Sequence, residues 1–191
     1  MSENHRHFAI YKPFGFLSQF INNQTKRKKK LLGELYNFPE KTMAIGRLDV
    51  KSEGLLLLTT DGKISDYITT RGKVEKEYYV QVNGSITQDK IEQLQRGVEI
   101  GFDGKKYVTK PCEVALIHPP NFEERSQKIR DDRHGPTSWI SITLKEGKFR
   151  QVRKMTSAVG HPTLRLVRVR VGKIRLKDLK IGEVREEETL I

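Results

Sequence analysis

The stretch Gly54–Thr60, GLLLLTT, constrains this chain most. Continuously apolar and bounded by glycine, it reads as a strand buried on both faces. KTMAI, residues 41–45, reads as a second strand, with Met43 and Ile45 on one face. The segment between them, GRLDVKSE, therefore sits at a strand end and sets Arg47 and Asp49 two positions apart beside buried apolar structure. Two explanations compete for that charged pair: an ordinary surface turn, or a catalytic carboxylate on a rigid scaffold.

The rest of the chain alternates strand and helix patterns. HFAIYKPFGFLSQF predicts a strand, a turn at Pro13 and Gly15, and a further strand. KEYYVQVN predicts a strand with Tyr78, Val80 and Val82 on one face and Tyr79, Gln81 and Asn83 on the other. DGKISDYIT opens with a turn and continues at helical spacing, and SITQDKIEQLQRG predicts a helix with Thr87 as N-cap and Gly97 just past its end. Residues 107–117 and 138–144 look extended, while the proline-rich 118–137 segment between them reads as an exposed loop. GKFRQVRKMTSAVG is the clearest helix, with Phe149, Val152, Thr156 and Val159 on the expected buried stripe. In LRLVRVRV the valines 167, 169 and 171 alternate with Arg168 and Arg170, predicting one core face and one cationic face. Strands are interleaved with few helices, so the expected class is α+β on a mostly antiparallel mixed sheet, with two subdomains around a central basic cleft. No repeat or linker divides residues 1–191, so one domain with a core of 7–185 is expected.

Charge narrows the partners. The chain has 36 Lys and Arg against 24 Asp and Glu, a net +12. Residues 139–182 hold 12 cations, including Lys148, Arg150, Arg153, Lys154, Arg165, Arg168 and Arg170, against Glu146 and Asp178. Such clustering favours a polyanion, because each phosphate neutralised releases condensed counterions. No bulky apolar anchors accompany the charge, so nucleic acid is favoured over a membrane. A second cationic run spans Lys26, Arg27, Lys28, Lys29 and Lys30 and reads either as a solvated loop or as a phosphate-contacting arm. No apolar stretch approaches the ~18–20 residues that span a bilayer, and the start lacks a signal-peptide apolar region, so a cytoplasmic protein is expected. Cys112 is the single cysteine, which rules out an internal disulfide.

Missing residues exclude several chemistries. The chain has no GxxxxGK[ST], HExxH or GxSxG motif, and His5, His7, His118, His134 and His161 lack ligand spacing. Asp49 remains. A carboxylate beside arginines is a plausible nucleophile or base, since a neighbouring cation favours its ionised form. On spacing alone a turn-forming Asp is the better answer.

Longer motifs tip that balance. GRLD followed by xxSEGLLLLTxDG resembles the signature of the pseudouridine synthases of ribosomal RNA, in the branch of the small-subunit enzyme A and the large-subunit enzymes B, E and F. Lys12-Pro13 with Gly15, Lys76-x-Tyr78-x-Val80, and EGKFRQVRKM followed by GHPTLRLVRVRVGKIRL agree with it. Most of that branch carry an S4-type RNA-binding domain before the Lys-Pro block. Here the block begins at residue 12, so no such domain is expected and the likeness is nearest the type E members. The resemblance implies isomerisation of a uridine to pseudouridine in large-subunit ribosomal RNA, by a monomer with no metal or organic cofactor. It makes Asp49 the catalytic aspartate, Tyr78 the tyrosine that packs on the target base, and Arg153 the arginine that pairs with the aspartate. Arg47 would fill the gap left by the extruded base, with Lys26, Arg27, Lys28, Lys148, Arg150, Lys154, Arg165, Arg168 and Arg170 on the RNA backbone. Charge alone also fits a non-enzymatic RNA-binding or ribosome-assembly protein, and a metal-dependent nuclease would use Asp49, Glu53 and Asp61.

Overall fold

Glu53–Thr59 is a strand with every residue buried, as an unbroken apolar run requires. The computed structural model describes residues 4–22, 29–71, 74–130 and 132–191. Lys26, Arg27 and Lys28 of the expected cationic arm lie outside the described residues. In chain order the strands and helices are β1 (His7–Lys12), β2 (Met43–Ile45), β3 (Glu53–Thr59), α1 (Gly62–Asp66), β4 (Lys76–Asn83), α2 (Gln88–Arg96), β5 (Glu99–Phe102), β6 (Lys105–Val108), β7 (Glu113–Ile117), β8 (Thr137–Leu144), α3 (Gln151–Ala158), β9 (Thr163–Val171), β10 (Ile174–Arg175) and β11 (Val184–Glu187). They fall into two compact units, residues 1–74 with 168–191, and residues 75–167.

In the first unit β1 pairs antiparallel with β3, from His7 opposite Thr59 to Lys12 opposite Gly54. β11 joins the other edge of β1, and β2 pairs with the end of β3 from Met43 opposite Thr59 to Ile45 opposite Leu57. Phe8, Ile10, Leu55, Leu56 and Leu58 are fully buried; each such side chain contributes about 1.5–3 kcal/mol relative to exposure. The residues after the Pro13 turn do not form the expected strand. Phe16 makes one isolated bridge to Lys30, and Leu17 N–H and the Gln19 carbonyl bond to Lys30 and Leu32 in an irregular loop.

In the second unit β4 and β8 pair antiparallel from Lys76 opposite Leu144 to Asn83 opposite Thr137, and β7 lines the other side of β8. The period of two puts Val80, Val82, Ile140 and Ile142 inward, where they meet Ile91 and Leu94 of α2 and Val152 and Met155 of α3. Helix α2 starts after Thr87, whose hydroxyl donates to the Asp89 carboxylate instead of capping the backbone. It stops at Gly97, where φ is +101° and an added Cβ would lie 2.1 Å from the Thr109 carbonyl oxygen, so only glycine fits. The extended reading of 107–117 resolves into β6 and β7, interrupted at Lys110-Pro111, because proline lacks the N–H a continuous ladder needs. Phe122 of the 118–136 loop packs near Tyr79 and Trp139, with ring centroids 6.1 and 6.0 Å away.

Two further expectations are corrected. Phe149 is 66% exposed and lies outside α3, because Arg150 adopts a left-handed conformation (φ +53°) that turns the chain before the helix starts; Met155 takes the core position. The arginines of β9 do not make a uniform cationic face, since Arg165 and Arg168 are buried at 6% and 5% exposure.

Candidate active site

Asp49 occupies the turn between β2 and β3, half-buried, with exposed Arg47 and buried Leu48 before it. Gly46 enters the turn at φ +68°. The residues on either side of Asp49 are held through their main chain by the 15–18 segment, and Asp49 itself by Ser52. Ser18 Oγ donates to the Leu48 carbonyl at 2.8 Å and accepts from Leu48 N–H at 3.0 Å. Gly15 N–H donates to the Val50 carbonyl at 2.7 Å, and Ser52 N–H donates to the Asp49 carbonyl at 2.9 Å. A carboxylate so framed has its backbone fixed while its side chain stays partly open to solvent.

Under this turn lie charges that the charge pattern did not reveal. Lys12 ends β1 and Glu53 begins β3, both with no exposed surface. Lys12 Nζ donates to the carbonyls of Pro13 and Phe16 at 2.9 and 2.8 Å. Burial pushes its ammonium down to about 7, against the upward pull of Glu53 and Asp49 and with a further push down from Arg168. Arg168 Nε donates to the Leu55 carbonyl at 2.7 Å. Lys12 is thus acted on by two carboxylates and a second cation within the first unit, and burial outweighs the attraction. The signal available in sequence was a charged residue abutting an apolar run on each of two paired strands. Among the described residues no three His, Cys, Asp or Glu side chains assemble as a possible metal cluster, so Asp49, Glu53 and Asp61 do not form one.

Tyr78 and Arg153 belong to the second unit. Tyr78 is half-buried on β4 and packs against the apolar cluster, as its strand face requires. Arg153 is half-buried on α3. The start of that helix is built by Glu146. It accepts from Tyr107 Oη at 2.5 Å, Lys110 N–H at 2.9 Å and Gln151 Nε2 at 2.6 Å. Burial works to raise the Glu146 carboxyl, and these donors outweigh it and hold the group below the ordinary carboxylate range. Lys148 Nζ stands over the rings of Phe102 and Tyr107 at 4.9 and 5.1 Å, and Lys154 Nζ over Phe149 at 5.3 Å. Arg150 is exposed, and Arg170, half-buried in the first unit, donates to the Gly172 carbonyl at 3.2 Å. Arg165 instead donates to the Glu123 carbonyl at 2.9 Å and stacks on Phe122, and with Arg168 it is turned away from solvent.

The chain belongs to the RNA pseudouridylate synthase family, which matches residues 6–158. It is 42% identical over 176 residues to the ribosomal large subunit pseudouridine synthase E of Vibrio vulnificus, covering 92% of this chain and 72% of that one. The protein of the same name from Xanthomonas axonopodis pv. citri is 42% identical over 172 residues, 89% of this chain and 87% of its own. A crystal structure of a pseudouridylate synthase aligns with a TM-score of 0.74 at 28% identity, over 97% of this chain and 71% of that one. Family membership makes this chain an enzyme and decides against the non-enzymatic reading, which rested on charge alone.

Proposed function

We propose that this chain isomerises a specific uridine to pseudouridine in large-subunit (23S) ribosomal RNA, with Asp49 as the group that performs the chemistry. Substrate and product are isomers: the N1–C1′ bond breaks, C5 takes the place of N1 on the same ribose, C5 gives up a proton and N1 gains one. No oxidant, reductant or second substrate enters that balance, so the protein must supply a nucleophile or base, a pocket and a way to extrude the base. Half-buried Asp49, its neighbours Leu48 and Val50 held by Ser18 and Gly15, is the observation that carries this reading. The names of the Vibrio and Xanthomonas relatives support ribosomal RNA of the large subunit as the substrate.

Tyr78 and Arg153 take the supporting roles that their motifs assign, and exposed Arg47 takes the space of the flipped nucleotide. Flipping costs a few kcal/mol, part of which a planar, stacking guanidinium offsets. Lys148, Arg150, Lys154 and Arg170, with the Lys26, Arg27 and Lys28 arm, hold the RNA backbone; Arg165 and Arg168, being buried, drop out of that set. The enzyme acts as a monomer in the cytoplasm. Replacing Asp49→Asn and mapping pseudouridine in 23S RNA tests the assignment. No product with RNA affinity unchanged is expected; product at the wild-type level would remove Asp49 from the chemistry.

A further inference from the structure

We propose that Lys12 is the positioning residue for Asp49: its Nζ fastens the Pro13–Phe16 turn, and that turn holds the segment that carries the carboxylate. The inference rests on reading Asp49 as the reactive group. Lysine is almost never fully buried unless its charge is matched, and a methionine would fill the same space without desolvating an ammonium. What the ammonium does here is specific. Both of its acceptors, the carbonyls of Pro13 and Phe16, lie in one turn. From inside that turn Gly15 N–H reaches the Val50 carbonyl, on the C-terminal side of Asp49. Two residues beyond it, Ser18 grips both the N–H and the carbonyl of Leu48, on the N-terminal side. The path from Lys12 to Asp49 therefore runs through hydrogen bonds joined by the short 13–18 main chain and ends on both flanks of the carboxylate.

The charged groups that face Lys12 are Glu53 on β3, Asp49 on the turn and Arg168 on β9. Because burial leaves the ammonium titrating near neutrality, the fastening changes character in a usable pH range. Hydrogen bonds from a charged donor are roughly twice as strong as neutral ones, so the turn loosens as the proton leaves.

The test compares Lys12→Met, Lys12→Arg, Ser18→Ala and Asp49→Asn on the ribosomal RNA substrate, with kcat and KM measured separately across pH and folding checked by thermal unfolding. Displacing a reacting group by about 1 Å costs on the order of 10²-fold. Lys12→Met is expected to lower kcat by about that factor with KM unchanged, and Ser18→Ala to lower it less, again without moving KM. Wild-type kcat is expected to decline as pH rises above about 7. In Lys12→Arg, whose guanidinium keeps its proton, part of kcat returns and the decline flattens. Should Lys12→Met fail to fold, Ser18→Ala, which removes no buried charge, carries the decision. Wild-type kcat in the folded variants, or a loss confined to KM, alongside an inactive Asp49→Asn protein, overturns the proposal. An active Asp49→Asn protein instead overturns the reading of Asp49, and the positioning role falls with it.

Discussion

Two groups of cations in this chain share their chemistry and differ in everything else. Lys12 and Arg168 in the first unit are 0% and 5% exposed, and each is tied to main-chain carbonyls, Pro13 and Phe16 for one and Leu55 for the other. Lys148, Arg150 and Lys154, around the start of α3 in the second unit, are exposed or half-exposed, and the two lysines lie over aromatic rings. Each buried cation is matched inside the protein: Lys12 feels Glu53 and Asp49 as well as its two carbonyls, and Arg168 holds the Leu55 carbonyl, so removing either one strands a buried partner. The surface group stays in contact with solvent and can lose one member without leaving a stranded buried charge. Net charge counts both groups alike, yet only the second is available to a polyanion.

The largest expected effect strikes the carboxylate above the buried pair. Asp49→Asn should reduce pseudouridine formation by at least about 10³-fold, read by mapping modified uridines. Next comes a direct contrast in stability. Arg168→Met should cost about 1–3 kcal/mol in denaturant unfolding, because it leaves the buried Leu55 carbonyl without its donor. Arg150→Met should change stability by no more than about 0.5 kcal/mol. Similar small changes for both would return Arg168 to the surface group and end the comparison.

These contrasts mark where sequence reasoning succeeds. The buried β3, the alternating β4 and β8, helix α2 ending at Gly97 and the turn position of Asp49 were all legible, because each depends on local period or on a backbone conformation that few residues adopt. The depth of a charged residue was not legible. Arg168 and Arg170 are two apart on β9 and share a face by period, yet one is buried against the Leu55 carbonyl and the other is half-buried beside Gly172. Tertiary packing decides that difference, and alternation of Val with Arg carries no trace of it. Phe149 failed for a related reason: the helical stripe extends to it in sequence, but a left-handed Arg150 lets the helix start only at Gln151.

A smaller effect sharpens the surface half of the contrast. Each cation withdrawn from a phosphate should lower the slope of log affinity against log salt by about 0.7–0.9. Lys148→Met, Arg150→Met and Lys154→Met are each expected to do so in RNA-binding titrations. Lys12→Met should leave the slope unchanged, since a buried ammonium releases no counterion. A reduced slope in Lys12→Met would mean that the turn it fastens also shapes the RNA-contacting surface.

The smallest effect separates the units by pH. Unfolded, Lys12 keeps its proton up to an ordinary value of 10.5; folded, it releases it near 7. Between those values the unfolded state binds more protons, so stability should rise with pH across the window, and the full cost of the buried charge should be felt below it. Glu146 in the second unit works at the other end. Its folded pKa lies below the ordinary 4.5, so its contribution is present above that value and is lost as pH falls through the folded one. Following Tm against pH, Lys12→Met should flatten the alkaline rise and Glu146→Gln the acid fall, the latter less, because solvent screens the partly exposed Glu146. An alkaline rise that persists in Lys12→Met would assign it to another group, and would mean that the ammonium beneath Asp49 keeps its proton through neutrality.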